Sequence, residues 1–199
     1  MALAAGIQMM PCRLHHEGGR SHFMTRRFDR TDAGDKIHMQ SLGALTHADF
    51  NQAGAYSYEE AIQAMKRLGL PRSDLEQQVL RTLFNVVARN QDDHVKNIAF
   101  LMNREGEWRL SPAFDVTYAY NPSGDWTGKH QMSINGKRED FETGDLISFA
   151  ALAGIKPARA ADMLAHVIGC ARRWPEFAGQ AGVSETHIRQ IGAALRLEL

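Results

Sequence analysis

The stretch from Asn90 to Asp115, NQDDHVKNIAFLMNREGEWRLSPAFD, constrains this chain more than any other. Its first eight residues hold two aspartates, a histidine, a lysine and two asparagines, and a third aspartate ends it. A core segment would not tolerate that concentration, because an unpaired carboxylate is costly to remove from water. Yet apolar residues bracket it regularly, with Leu80, Leu83, Phe84, Val86 and Val87 before and Ile98, Phe100 and Leu101 after. A polar loop on rigid apolar shoulders suits positioned chemistry.

Within the loop, Asp92 precedes Asn97 by the spacing of the protein-kinase catalytic loop. There the Asp accepts the substrate hydroxyl's proton and the Asn holds magnesium. Asp93 is one residue too close to Asn97 to fit. The run Ile98 to Met102, a turn at Asn103 to Gly106, and Trp108 to Leu110 read as a hairpin, expected to return Asp115 to the side of Asn97. A second oxygen ligand is needed there, because magnesium bridging phosphates takes carboxylate, amide and water oxygens. The Asp–Asn spacing alone is common, and specificity comes from the whole constellation.

With LSPAFD closing the hairpin, NQDDHVKN resembles the catalytic and metal-binding loops of the HipA-like serine/threonine kinases. The resemblance extends to HFMTRRFDR (His22 to Arg30), to KIHMQSLGALTHADFNQAGAYSYEE (Lys36 to Glu60) and to HQMSINGK (His130 to Lys137). It implies an α+β, predominantly helical fold: the large, C-terminal lobe of a protein-kinase-like architecture with a small β-hairpin remnant of the N-terminal lobe. Residues 1–30 would be that remnant with its hinge, and residues 31–199 the HipA-like lobe. Asp92 would be the catalytic base, with Asn97 and Asp115 holding magnesium against the phosphates of ATP. Arg26, Arg27 and Phe28 would lie at the hinge that meets adenine, Phe114 against the nucleotide, and His94 and Lys96 near phosphate oxygens. The resemblance further implies a cytoplasmic toxin of a toxin-antitoxin pair, with a small DNA-binding antitoxin as partner and a protein substrate such as an aminoacyl-tRNA synthetase.

Read from the residues alone, several of these positions have plainer uses. Arg26 and Arg27 suit a solvated strand end, Phe114 suits core packing, and His94 and Lys96 suit donors that fix a loop. His15, His16, His22 and His38 have no metal-ligand spacing.

The 199 residues carry 23 basic and 23 acidic side chains, so no global field favours nucleic acid or a membrane surface. A globule of this size buries about 70% of its unfolded surface and needs no covalent staples. Cys12 and Cys170, far apart in sequence, give neither a disulfide framework nor a metal motif, which fits a reducing compartment. No apolar run approaches the ~20 residues of a spanning helix, and MALAAGIQMM is not a signal peptide.

From the start, Met1 to Gly6 has helical composition but under two turns of length. Arg13 to His16 and Ser21 to Phe28 read as strands joined through Gly18 and Gly19, a hairpin rather than a phosphate loop. A short helix is expected near Met39 to Leu45. A firmer one starts at Ser57, where Glu60 completes a capping box, and stops at Gly69. Ser73 and Glu76 suggest a second box, opening a helix whose stripe is Leu75, Val79, Leu80, Leu83, Phe84 and Val87. Val116 to Gly136 reads as an irregular flap, and helices follow over Leu146 to Leu152, Pro157 to Trp174 and Ser184 to Leu197.

Neither a Gly-rich phosphate-covering loop nor a strand lysine precedes Arg13. The chain alone is therefore expected to bind ATP weakly and to phosphorylate slowly or not at all, pending a missing N-terminal lobe. Two other classes stay open. One is a non-catalytic pseudokinase or split subunit of a toxin-antitoxin system. The other is a magnesium-dependent phosphohydrolase using Asp92, Asp93, His94 and Asp115 around two ions.

Overall fold

The computed structural model describes residues 1–199. Its centre is α3 (Arg72–Val87), whose stripe of Leu75, Val79, Leu80, Leu83, Phe84, Val86 and Val87 is buried. Against it pack α2 (Tyr58–Arg67), α4 (Thr143–Leu152), α5 (Pro157–Arg172) and strand β5 (Trp108–Leu110). One continuous apolar cluster runs from Ala5 to Ala171 and unites these elements. At ~25 cal/mol per Å² of apolar surface, each large side chain in that stripe contributes about 1.5–3 kcal/mol. This α3 core fixes where the polar loop after it stands.

Local chemistry sets the helix ends. Ser57 and Glu60 form the expected reciprocal box at α2, with Glu60 N donating to Ser57 Oγ at 3.1 Å and Ser57 N to Glu60 Oε2 at 2.7 Å. The box expected from Ser73 and Glu76 does not form. Pro71 takes the N-cap position, Ser73 falls inside the helix, and Glu76 pairs with Arg72 at 3.0 Å instead. A proline just ahead of a helix has its φ set already and no N–H to satisfy, so it displaces the serine as the boundary. The C-terminal run beginning at Pro157 divides into α5 and α6 (Trp174–Gln180), and Ser184 caps α7 (Glu185–Ala194).

Two small sheets complete the fold. Strands β1 (Cys12–Glu17) and β2 (Arg20–Thr25) pair antiparallel in register Glu17 to Arg20, through Gly18 at φ 55° and Gly19 at φ 73°. Both turn glycines adopt the left-handed backbone that a tight two-residue hairpin requires. This hairpin is exposed on both faces. The second sheet has the order β3-β4-β5, all antiparallel, with β3 at His38–Ser41 and β4 at Ala99–Met102. The β4–β5 hairpin stands where its sequence placed it, but β3 replaces the first residues of the helix expected from Met39. The free edge of β4 recruits His38 to Ser41 as a strand, a tertiary effect that overrides a weak local pattern. Only then does α1 (Leu42–Thr46) begin, capped by Ser41 Oγ accepting from Ala44 N at 3.1 Å. Met1 to Gly6 forms hydrogen-bonded turns that seat Ala5 and Ile7 in the core. No helix is long and apolar enough to cross a membrane.

Candidate functional site

After α3 the chain reverses at Arg89, whose φ of 57° is left-handed, and enters the polar loop. Segment 119–127 laces the loop's start: Gln91 N donates to Ala119 O at 3.1 Å, Ala119 N to Arg89 O at 3.0 Å, and Gln91 Nε2 to Thr127 O at 3.2 Å. The β3–α1 corner holds its end. Gly43 N donates to Val95 O at 3.0 Å and Leu42 N to Ile98 O at 2.7 Å. Asp92 thus sits between two fixed ends, its side chain 45% exposed, with His94 Nε2 4.0 Å from its Oδ1. Asn97 Nδ2 donates to the Asp92 carbonyl at 2.9 Å, which leaves the Asn97 side-chain oxygen free to face a cation.

The path to Asp115 is pinned just as firmly. Asp74 on α3 accepts both Arg109 Nε and Nη2 at 2.9 Å and Leu110 N at 2.8 Å. Burial works to raise the pKa of Asp74, but the Arg109 fork and the Leu110 amide bring it below its ordinary value. Arg81 Nη2 donates to Ser111 O at 2.7 Å, and burial lowers the Arg81 pKa to about 10. Ala113 N donates to Gln8 O at 2.8 Å, beside a parallel bridge between Met9 and Ala113. Asn90 Nδ2 reaches the Asp115 carbonyl at 3.3 Å. Asp115 itself has φ 53°, a left-handed conformation that Asp tolerates better than most residues, and its carboxylate is exposed with no ion pair. Strain held at such a position is characteristic of sites.

Arg26, Arg27, Phe28, Lys96, Phe114 and Asp115 line one cavity of about 880 Å³, most of whose wall is apolar. The Phe28 and Phe114 rings touch in its wall at 5.3 Å between centroids. Asp92, His94 and Asn97 stand on the loop around Lys96 and are not part of that wall. The arginine side chains are occupied. Arg27 forks onto Asp29 at 2.8 and 2.6 Å, which together with Arg30 holds the Asp29 pKa at about 2, and Arg26 pairs with Asp32. What Arg26 to Phe28 present to the cavity is therefore backbone and the phenyl ring. Lys96 Nζ lies 3.2 Å from the centre of the Phe50 ring, and Phe50 also meets His94 edge-on at 6.2 Å.

Asp93 differs from its neighbours. It is 2% exposed, and both oxygens are taken: Oδ1 by Gln131 N at 2.8 Å, Oδ2 by Tyr58 Oη at 2.7 Å and His130 Nδ1 at 2.6 Å. This overturns the two-ion phosphohydrolase reading, which needs Asp93 as an open ligand. No three His, Cys, Asp or Glu side chains gather as a metal cage anywhere in the chain. The donor set of Asn97 and Asp115 fits magnesium all the same, because that ion keeps several waters and takes one or two protein oxygens beside substrate phosphates. The spacing in the sequence did not reveal the partners of Asp93, and only the presence of His130 in HQMSINGK hinted at them.

The model of the HipA-like C-terminal domain matches residues 1–174. The chain belongs to the HipA-like C-terminal domain family. This HipA-like domain is 27% identical over 169 residues to "Putative kinase Y4mE" of Sinorhizobium fredii (strain NBRC 101917 / NGR234), covering 78% of the chain and 39% of that relative. Its fold matches HipA of Shewanella oneidensis MR-1, solved with HipB and operator DNA, at a TM-score of 0.75 and 18% identity. That match covers 96% of the chain and 51% of the solved one. The HipA-like domain thus spans about half of the solved chain and 39% of the curated relative.

Proposed function

We propose that the HipA-like domain is the large lobe of a serine/threonine kinase, residues 31–199 behind a hinge and hairpin in residues 1–30, transferring phosphate from ATP to a protein hydroxyl. One observation carries this reading. Of the three aspartates in the stretch, Asp92 and Asp115 pair with no lysine or arginine while Asp93 is saturated and buried. Free carboxylates on rigid, pinned backbone are what a base and a metal ligand require.

In this reading Asp92 orients the acceptor hydroxyl and takes its proton. Asn97 and Asp115 would hold magnesium, which when bound neutralises charge on the phosphates. The touching rings of Phe28 and Phe114 would form one apolar wall against the adenine while the backbone of Arg26 to Phe28 meets its edge. Lys96 would turn from Phe50 to a phosphate oxygen, and His94 would steady Asp92. Positioning and charge neutralisation supply most of the catalysis of phosphoryl transfer. A small DNA-binding antitoxin is the partner this reading favours, by analogy with the solved HipA–HipB complex, and an aminoacyl-tRNA synthetase is a candidate substrate.

Two measurements test the proposal. Calorimetry with ATP, with and without magnesium, should give magnesium-dependent binding that Asp115→Asn removes. Phosphate transfer to a protein acceptor should vanish in Asp92→Asn. A biological effect untouched by Asp92→Asn would instead favour a non-catalytic subunit.

A further inference from the structure

Asp93 is the most completely bonded carboxylate of the site, and its three donors come from separate parts of the chain. Tyr58 opens α2, while His130 and Gln131 lie in the flap that follows Asp115. The side chains of His130 and Asp93 are 0% and 1% exposed, so water does not compete for these bonds. Asn85 of α3 donates from Nδ2 to Tyr58 Oη at 3.0 Å, which turns the phenol proton toward Asp93. Burial tends to raise the Asp93 pKa, but His130, Tyr58 and the Gln131 amide bring it below the ordinary carboxylate value. The carboxylate therefore accepts and His130 Nδ1 donates. His130 Nε2 is buried without a partner, and Phe141 packs against the ring at 5.2 Å between centroids. The short bond to Asp93 offsets the cost of burying the other ring nitrogen unpaired.

The surrounding backbone repeats the connection. Gly54 N donates to Gln131 O at 2.9 Å, Tyr58 N to Ser133 O at 2.9 Å and Ser133 N to Tyr56 O at 3.0 Å. Arg138 packs so closely over Gly54 that a Cβ there would meet its Cδ at 2.7 Å. Arg138 Nε donates in turn to the His130 carbonyl at 2.5 Å. The flap is thus tied to the α2 entry by main-chain bonds, and to the catalytic loop by Gln91 Nε2 on Thr127 O and by the Asp93 carboxylate.

We propose that Asp93 and His130 are a positioning pair that locks the flap onto the catalytic loop, so that the flap's placement fixes where Asp92 stands. The locking follows from the geometry alone; its effect on phosphate transfer rests on the kinase reading above. Neither residue touches substrate. Their influence passes through the single peptide unit between Asp93 and Asp92 and through the flap on which an acceptor protein would rest.

Hydrogen–deuterium exchange tests the lock without any need for activity. In Asp93→Asn, one oxygen acceptor becomes a donor facing an N–H or O–H group. Amides of residues 90–98 and 124–134 should then exchange together at least tenfold faster, with α3 and α5 unchanged. Faster exchange in one segment alone, or across the whole chain, overturns the proposal. His130→Asn keeps a donor near the Nδ1 position and should restore most of the protection lost in His130→Ala; equal loss in both variants also overturns it. In phosphate transfer, Asp93→Asn should lower kcat 10- to 100-fold with KM for ATP within twofold, and His130→Asn should recover much of that. The exchange results decide the lock by themselves, so a failure of the kinase reading leaves the lock standing.

Discussion

Asp92, Asp93 and Asp115 are one residue type in three environments, and on the kinase reading proposed above each environment suits a different task. Asp92→Asn should lower phosphate transfer at least ~10²-fold, the usual contribution of a positioned base, with ATP affinity retained. Asp145, outside the site, gives a test of stability. Hydrogen bonding from Lys137 Nζ at 2.7 Å, helped by Asn135 Nδ2 at 2.8 Å and Glu142 N at 2.9 Å, lowers its pKa from 3.8 to about 2. A carboxyl whose pKa is depressed by folding stabilises fully above its unfolded value. That stabilisation fades as pH falls from about 3.8 through about 2. Lys137→Met should therefore move the acid-unfolding midpoint, followed by circular dichroism, to higher pH. That Asp92 and Asn97 share one loop was legible in sequence because their relation is local, and the structure adds the bond from Asn97 Nδ2 to the Asp92 carbonyl. The fate of Asp93 was not, because its partners sit 35 and 37 residues away on opposite sides. The pairing of the exposed Arg26 and Arg27 with Asp32 and Asp29 was hidden more simply, since adjacent opposite charges look like ordinary surface.

The helices offer a paired experiment on what caps them. Ser57→Ala should cost about 1 kcal/mol, the usual worth of an N-cap, and lower the melting temperature by about 2–4 °C. Ser73→Ala should leave the melting temperature nearly unchanged, because Pro71 rather than Ser73 begins α3. The two motifs look alike in sequence, and the structure separates them by a proline two positions earlier. Within α3, Leu83→Ala should cost about 2–5 kcal/mol, measured by urea unfolding, because Leu83 is fully enclosed beneath the start of the polar loop. The stripe of α3 was plain from its three- and four-residue spacing. Strand β3 was not, since four residues of weak pattern become a strand only where β4 offers an edge.

At the scale of the whole molecule, the apolar cluster joins residues as distant as Ala5 and Ala171, while the β1–β2 hairpin contributes nothing buried. Hairpin amides should exchange orders of magnitude faster than those of α3, since exchange protection follows burial and cooperative packing. Protection of the hairpin equal to that of α3 would show it to be covered in solution. The few residues before the hairpin behave in the opposite way. Gln8 and Met9 are stitched alongside Ala113, two positions from the left-handed Asp115. A tug on that first segment would be passed as mechanical displacement to the acidic side chain facing the cavity, so the opening stretch of the chain works as a tiller for that carboxylate.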